Sequence, residues 1–144
     1  MEVATSRFGL LEIDSQDLIA FPTGPVGLED CRQWVLLADA ENGALGWLQC
    51  TTRPEVALAV VSPRRFAPDY QFRVFRRELA PLELERADQA QVLAIVSKNE
   101  RGITLNLKAP IVVNLPRRLA RQVVANGDQP LQYELIPHQL RKAA

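Results

Sequence analysis

The run Ile103-Thr104-Leu105-Asn106-Leu107-Lys108-Ala109-Pro110-Ile111-Val112-Val113-Asn114 constrains the fold more than any other part of the chain. From Ile103 to Lys108 apolar and polar residues alternate strictly, with Ile103, Leu105 and Leu107 on one side and Thr104, Asn106 and Lys108 on the other. A period of two is the signature of a half-buried strand, because successive side chains point to opposite faces. Pro110 cannot donate to a β ladder, so the strand is expected to end or bend at Ala109–Pro110. Ile111-Val112-Val113 then resumes as a β-branched run suited to a second, more deeply buried strand, and Asn114 closes it with a turn-favouring side chain.

The same grammar recurs along the chain. Val3 to Ile13 reads as a tight hairpin around Gly9, where a short turn demands positive φ. Asp17 to Phe21 is a short strand stopped by the loop Pro22-Thr23-Gly24-Pro25, and Gly27 to Cys31 is read as one helical turn. Trp34-Val35-Leu36-Leu37 is apolar on both faces, as a central strand is. Glu41-Asn42-Gly43 signals a hairpin returning through Leu45 to Cys50. Val56 to Val61 is a buried strand ended by Pro63, and Tyr70 to Val74 alternates as another strand. Arg76 to Asp88 is the one plausible helix, held to a turn or two by Pro81. Val92 to Ser97 is a second two-sided strand, and Lys98 to Gly102 a polar turn. Leu115 to Asn126 fits a helix or a strand; a short turn followed by a strand is preferred, with Leu131 to Leu135 as the last strand.

Nine or ten short strands predict an all-β domain: a closed or nearly closed, mostly antiparallel β-barrel with one or two short helical turns. Closure removes the exposed edges that so many strands would otherwise leave. At 144 residues the chain makes one domain, assigned to residues 1–136, with a polar tail over 137–144. Its formal net charge of zero gives no general pull towards nucleic acid or an anionic membrane. No apolar run approaches the ~18 residues of a membrane-spanning helix. Met1-Glu2-Val3 does not begin a signal peptide, so the cytoplasm is the default location. Cys31 and Cys50 are expected as free buried thiols.

Catalytic chemistry finds little support. The one histidine, His138, lies in the polar tail; there is no glycine-rich phosphate loop, no nucleophile elbow and no metal-ligand spacing. Glu83 and Glu85 read as a solvated face beside the short helix. No cofactor is expected. Three arginine pairs, Arg64-Arg65, Arg76-Arg77 and Arg117-Arg118, would make a basic patch if they converged, and otherwise are solvated loop ends. Trp34 and Trp47, inside apolar strands, are assigned to the core, and Gly27 to a loop with unusual backbone angles.

The order of short words resembles a known family. Phe21-Pro22-x-Gly24-x-x-Gly27-Leu28-Glu29 is followed by Trp47-Leu48-Gln49, then by Pro54 with Ala57 to Val61, then by Pro63 to Tyr70. Thr104-x-Asn106-Leu107-x-Ala109-Pro110-Ile111-Val112-Val113-Asn114 and Gln122-Val123-Val124 complete the series, from about Phe8 to Tyr133. It is similar to the bacterial flagellar assembly factor FliW family. Leu28 stands where that family usually has phenylalanine, and Cys50 where serine is common. The resemblance implies a non-catalytic, β-barrel-like cytoplasmic protein with two mutually exclusive partners. One is flagellin; the other is the translational repressor CsrA, whose capture lifts repression of flagellin synthesis. No direct nucleic-acid, membrane or small-molecule partner is implied. The residues proposed for partner binding are Arg64, Arg65, Phe66, Tyr70, Asn106, Lys108, Asn114, Arg117 and Arg118. The rival reading is an RNA-binding barrel using the arginine pairs with Phe66 and Tyr70. A third is a small-ligand barrel or enzyme with its pocket at one mouth.

Overall fold

The computed structural model describes residues 1–135; the assigned tail and its His138 lie outside the described residues. Ten strands form in order: β1 Glu2–Thr5, β2 Gly9–Glu12, β3 Leu18–Ala20, β4 Gln33–Ala38, β5 Gly46–Cys50, β6 Ala57–Val61, β7 Ala90–Asn99, β8 Gly102–Asn114, β9 Leu119–Gln122 and β10 Tyr133–Glu134. Strands β3 to β9 close into a ring. Antiparallel pairs run β3-β4-β5-β6-β7-β8-β9, and a parallel contact between Ala20 and Leu119 joins β9 back to β3. The expected barrel is therefore present, closed by seven strands.

Alternation along each strand sorts side chains between the barrel interior and an outer layer. Ile19, Trp34, Leu48, Val60, Ile111, Val113 and Ala120 meet inside, with Phe21, Cys31 and Cys50. Their neighbours face outward and are covered three times. The β1–β2 hairpin lies over Leu18, Val35 and Leu37 through Val3, Leu11 and Ile13. Phe66, Tyr70 and Phe72, with Tyr133 and Leu135, cover Val61, Ala94, Leu105 and Leu107. The helical segment brings Leu79 and Leu82 onto Val112 and Val123. This double burial is why β4 and β7 read as apolar on both faces.

The opening stretch is one strand of 13 residues that bends without breaking. Leu93 faces Ile111 while Ile95 faces Asn106, so Leu107–Pro110 stand opposite Ala94 alone. Such a bulge accommodates a proline and turns the strand. The Asn106 side chain holds it, Oδ1 accepting from the Lys108 and Ala109 amides at 3.1 and 2.9 Å. Past the bend β8 changes neighbour, from β10 beside Thr104–Leu105 to β9 beside Ile111–Asn114.

Several local expectations are corrected. Tyr70 to Val74 is no strand; its one ladder contact is Arg73 with Asn126. Its alternation comes from packing one side onto the barrel, with backbone pairing at Arg73 alone among the described residues. Gly27 to Cys31 forms successive tight turns rather than a helical turn, with Leu28 N–H donating to Pro25 O and Cys31 N–H to Leu28 O. The helix, by contrast, keeps to the expected turn or two: α1 Arg76–Leu79 is continued by the 3-10 turn Ala80–Leu82, which contains Pro81. The β4–β5 loop runs from Asp39 to Leu45, longer than a two-residue Asn-Gly turn. Asp39 Oδ2 organises it by accepting from the Glu41 and Asn42 amides. Trp34 is fully buried, its indole N–H donating to Cys31 O at 2.7 Å. Trp47, by contrast, is only half-buried, because its side of β5 faces the hairpin tip. Phe8 meets it edge-on at 5.9 Å, the Arg7 guanidinium lies 4.2 Å over the ring, and its N–H donates to Asp39 Oδ1.

Candidate partner-binding surface

The sequence-proposed residues fall into two neighbourhoods. In the first, Pro63 starts the 3-10 turn Pro63–Arg65 where β6 stops, its fixed φ suiting a first helical position. That turn exposes Arg64 and Arg65 and sends the chain back across the barrel. Arg64 is held in place, Nε donating to Tyr70 O at 3.0 Å. Phe66 and Tyr70 are turned inward, 6% and 8% exposed, so their rings pack on β7 and β8. Tyr70 stacks on Phe72 at 5.5 Å, and its hydroxyl donates to Leu107 O at 2.7 Å, within the β8 bulge. Burial pushes the Tyr70 phenol up to about 12. Tyr70 thus ties the arginine turn to the Asn106–Pro110 bend. On that bend Lys108 is half-buried, with Nζ donating to Gly127 O.

The second neighbourhood surrounds the turn from β8 to β9. Asn114 is 2% exposed, and its amide Nδ2 donates to Leu82 O at 2.8 Å and Glu83 O at 3.4 Å. It therefore pins the helical segment to the barrel. Glu83 and Arg118 both take left-handed backbone angles, with φ of 54°. Arg118 O accepts from Ala20 N–H at 2.9 Å, beside the closing β3–β9 contact. Arg117 reaches Glu83 and Glu85 at 3.5 and 4.0 Å, with all three side chains more than half exposed. Such a group is worth at most about 1 kcal/mol and leaves a charge-compensated surface. The third pair sits on α1, where the Arg77 guanidinium lies 4.8 Å over the exposed Phe75 ring.

Two features had no sequence signal. One is a groove of about 550 Å³ between the outer coverings, with Ala90 and Val92 of β7 as its floor and Pro63, Arg64, Tyr70 and Phe72 as walls. It arises where two loop segments fail to meet, which local periodicity does not encode. The other is the pair Val26 and Val124, 72% and 57% exposed, at a smaller cleft with Glu29, Glu78 and Arg121. There Gln122 Oε1 accepts from Val26 N–H at 2.8 Å and lays the Pro22–Gly27 loop against β9.

The groups whose ionisation is perturbed fall in three places. One is a cluster in which Arg53 lies 3.1 Å from Glu55 and 3.8 Å from the Cys31 thiol, contacts that raise its guanidinium. The Glu55 carboxyl there is lowered by its own backbone amide and then by Arg53. Cys31 lies inside the barrel, its thiol pushed up to about 11 by burial and then by the adjoining Cys50. Tyr70 lies in the outer layer. Asp39 lies in the β4–β5 loop, its carboxyl lowered by the Trp47 indole N–H and then by the Glu41 amide. Among the described residues no group of three or more His, Cys, Asp or Glu side chains could hold a metal. No described helix is long and apolar enough to cross a membrane. What this surface offers is shape, hydrogen bonding and a few oriented cations.

The fold class is thus a small closed barrel wrapped by its own loops. The FliW protein family model matches residues 2–135. The flagellar assembly factor FliW of Bdellovibrio bacteriovorus is 38% identical over 126 residues, covering 86% of this chain and 72% of that one. That of Natranaerobius thermophilus is 31% identical over 147 residues, covering 99% and 97%. A crystal structure of the flagellar assembly factor FliW superposes with a TM-score of 0.87 at 27% identity, over 95% of this chain and 98% of that one. The chain belongs to the FliW family of flagellar assembly factors.

Proposed function

We propose that this protein binds flagellin in the cytoplasm and, alternatively, the repressor CsrA, so that capture of the repressor restores flagellin synthesis. The family match over nearly the whole described chain is the observation that carries the reading. The surface chemistry supports it: Arg64, Arg65 and Arg117 are exposed on the outside of the closed barrel, and Lys108 and Arg118 are partly exposed. No cofactor or nucleotide takes part.

Two measurements test it. Calorimetric titration of metal-stripped protein into flagellin from the same organism gives saturable binding; no binding at ~10 μM refutes the flagellin half. In a three-component gel shift, the protein alone leaves flagellin leader RNA unshifted and releases free RNA from the repressor–RNA complex. Replacing Arg117 and Arg118 with glutamate weakens at least one partner. Direct retention of RNA, with an affinity falling at a log–log slope of roughly −0.7 per phosphate against salt, would replace this reading with the RNA-binding one.

A further inference from the structure

The β6–β7 ladder stops early. Only Val60 and Val61 pair with β7, at Ile95 and Ala94, because Pro63 ends β6 and turns the chain away. Strand β7 begins four residues before that ladder, at Ala90, and over Ala90–Leu93 it is paired with β8 on one side alone. In an antiparallel strand alternate residues aim N–H and C=O to opposite edges. Part of the Ala90–Leu93 backbone therefore points towards β6 where β6 is missing. Among the described residues no backbone hydrogen bond joins that edge to the 62–72 segment. An unpaired edge of this kind is a template for another strand unless it is blocked.

Nothing blocks it. The 550 Å³ groove lies along this half of β7, with Ala90 and Val92 as its floor and Phe72 and Pro63 beside it. Arg64 lines the groove, and among the described residues its one hydrogen bond is through Nε to Tyr70 O. That bond aims the guanidinium while leaving both terminal nitrogens, among the described residues, without a protein acceptor. A fixed guanidinium with two free N–H donors matches a carboxylate in bidentate geometry. We propose that the groove is a strand-addition site. It takes an extended peptide segment that pairs with the free edge of β7, places an apolar side chain over Ala90 and Val92, and sets a carboxylate on Arg64. Main-chain pairing supplies affinity in such sites and alternate side chains supply selectivity. At ~3.3 Å per residue, four paired residues span ~13 Å.

This proposal is independent of which protein supplies the segment, and its test uses none of the proposed partners. The probe is a soluble octapeptide in which valine alternates with threonine and glutamate; a control peptide carries lysine for glutamate, and a third probe is a single-stranded RNA octamer. Each is titrated into the full-length 15N-labelled protein and followed by amide and arginine Nε resonances. The glutamate peptide is expected to shift Gln91, Val92, Leu93 and the Arg64 Nε, and to slow exchange of the unpaired β7 amides. Arg64→Glu should weaken it by tenfold or more and favour the lysine peptide. Ala87 is exposed at the groove, so Ala87→Trp fills it from outside the core and should abolish binding in a protein whose melting temperature is unchanged. Equal binding of both peptides, shifts confined to other strands, binding unaffected by Ala87→Trp, or a response to the RNA alone would each overturn the assignment.

Discussion

Removing the Tyr70 hydroxyl is the most discriminating perturbation of the outer layer. Tyr70→Phe keeps the ring, its stack on Phe72 and its place over Leu105 and Leu107, and deletes one bond of 2.7 Å to Leu107 O. That carbonyl sits in the β8 bulge, where regular pairing with β7 lapses, and Leu107 itself is 3% exposed. Leaving a buried acceptor unsatisfied costs about 1–3 kcal/mol, more than the ~1 kcal/mol of an average exchanged hydrogen bond. For a chain of this length each kcal/mol lowers the melting temperature by roughly 3–4 °C, so a fall of about 3–12 °C is expected. Urea unfolding should show a lower midpoint at an unchanged m-value, since the surface exposed on unfolding is the same. Tyr70→Ala serves as the upper bracket at about 3–5 kcal/mol, because the ring is lost as well. A Tyr70→Phe protein melting within 1 °C of the parent would refute the reasoning. The bulge would then not depend on this hydroxyl, and the tie between the arginine turn and β8 would be packing alone.

The two tryptophans should separate cleanly. Trp34→Ala, at a fully buried site with a hydrogen-bonded indole, costs about 3–5 kcal/mol, whereas Trp47→Ala, half-covered by Phe8 and Arg7, costs about half that or less in urea unfolding. Equal losses would place Trp47 in the core after all. Two glycines of the same loop should fail differently. A Cβ on Gly24 would stand 2.1 Å from Leu28 O, so Gly24→Ala forces the loop open and costs about 3 kcal/mol or more, while Gly27→Ala meets open space and costs the ~1–2 kcal/mol of its left-handed backbone. Alkaline stability follows from Cys31 and Tyr70, whose folded values of about 11 and 12 lie above their ordinary 9.0 and 10.0. Each group binds its proton more tightly folded than unfolded. Stability is therefore intact below pH ~9 and falls as pH rises, through 9–11 for Cys31 and 10–12 for Tyr70. Chemical denaturation of Cys31→Ala should lack the first part of that decline.

The sequence made one-sided burial visible and left pairing hidden. Ile103–Lys108 and Ile111–Val113 announced their strands because burial and ladder coincide there, and Pro110 marked the bend because a missing donor has to fall at an irregularity. Tyr70–Val74 alternates just as clearly, yet its periodicity reports a loop lying on the barrel, which imposes the same pattern without a neighbour strand. Trp47 misled for the related reason that an apolar run does not say whether its outer face is covered by core or by a hairpin tip. Asn106 and Asn114 stood out as words, but what they bond, a local bulge and a helical turn about thirty residues away, depends on tertiary placement. The groove along β7 depends on where two coverings stop short, which no single segment specifies.

The Ala20–Leu119 contact sets the order in which this barrel can assemble. Most of the ring's pairs join strands that are neighbours in sequence, so they can form as hairpins with little loop to close. The parallel contact joins positions about a hundred residues apart, at a single register position. Its closure entropy falls due before its few hydrogen bonds reward it, so ring closure is the late step of folding and the first to be reversed. Hydrogen exchange under native conditions should find the amides of Ala20 and the start of β9 opening in a partial unfolding that leaves the β7–β8 hairpin protected. The chain is then, in kinetic terms, a sheet that rolls up last along the β3–β9 seam.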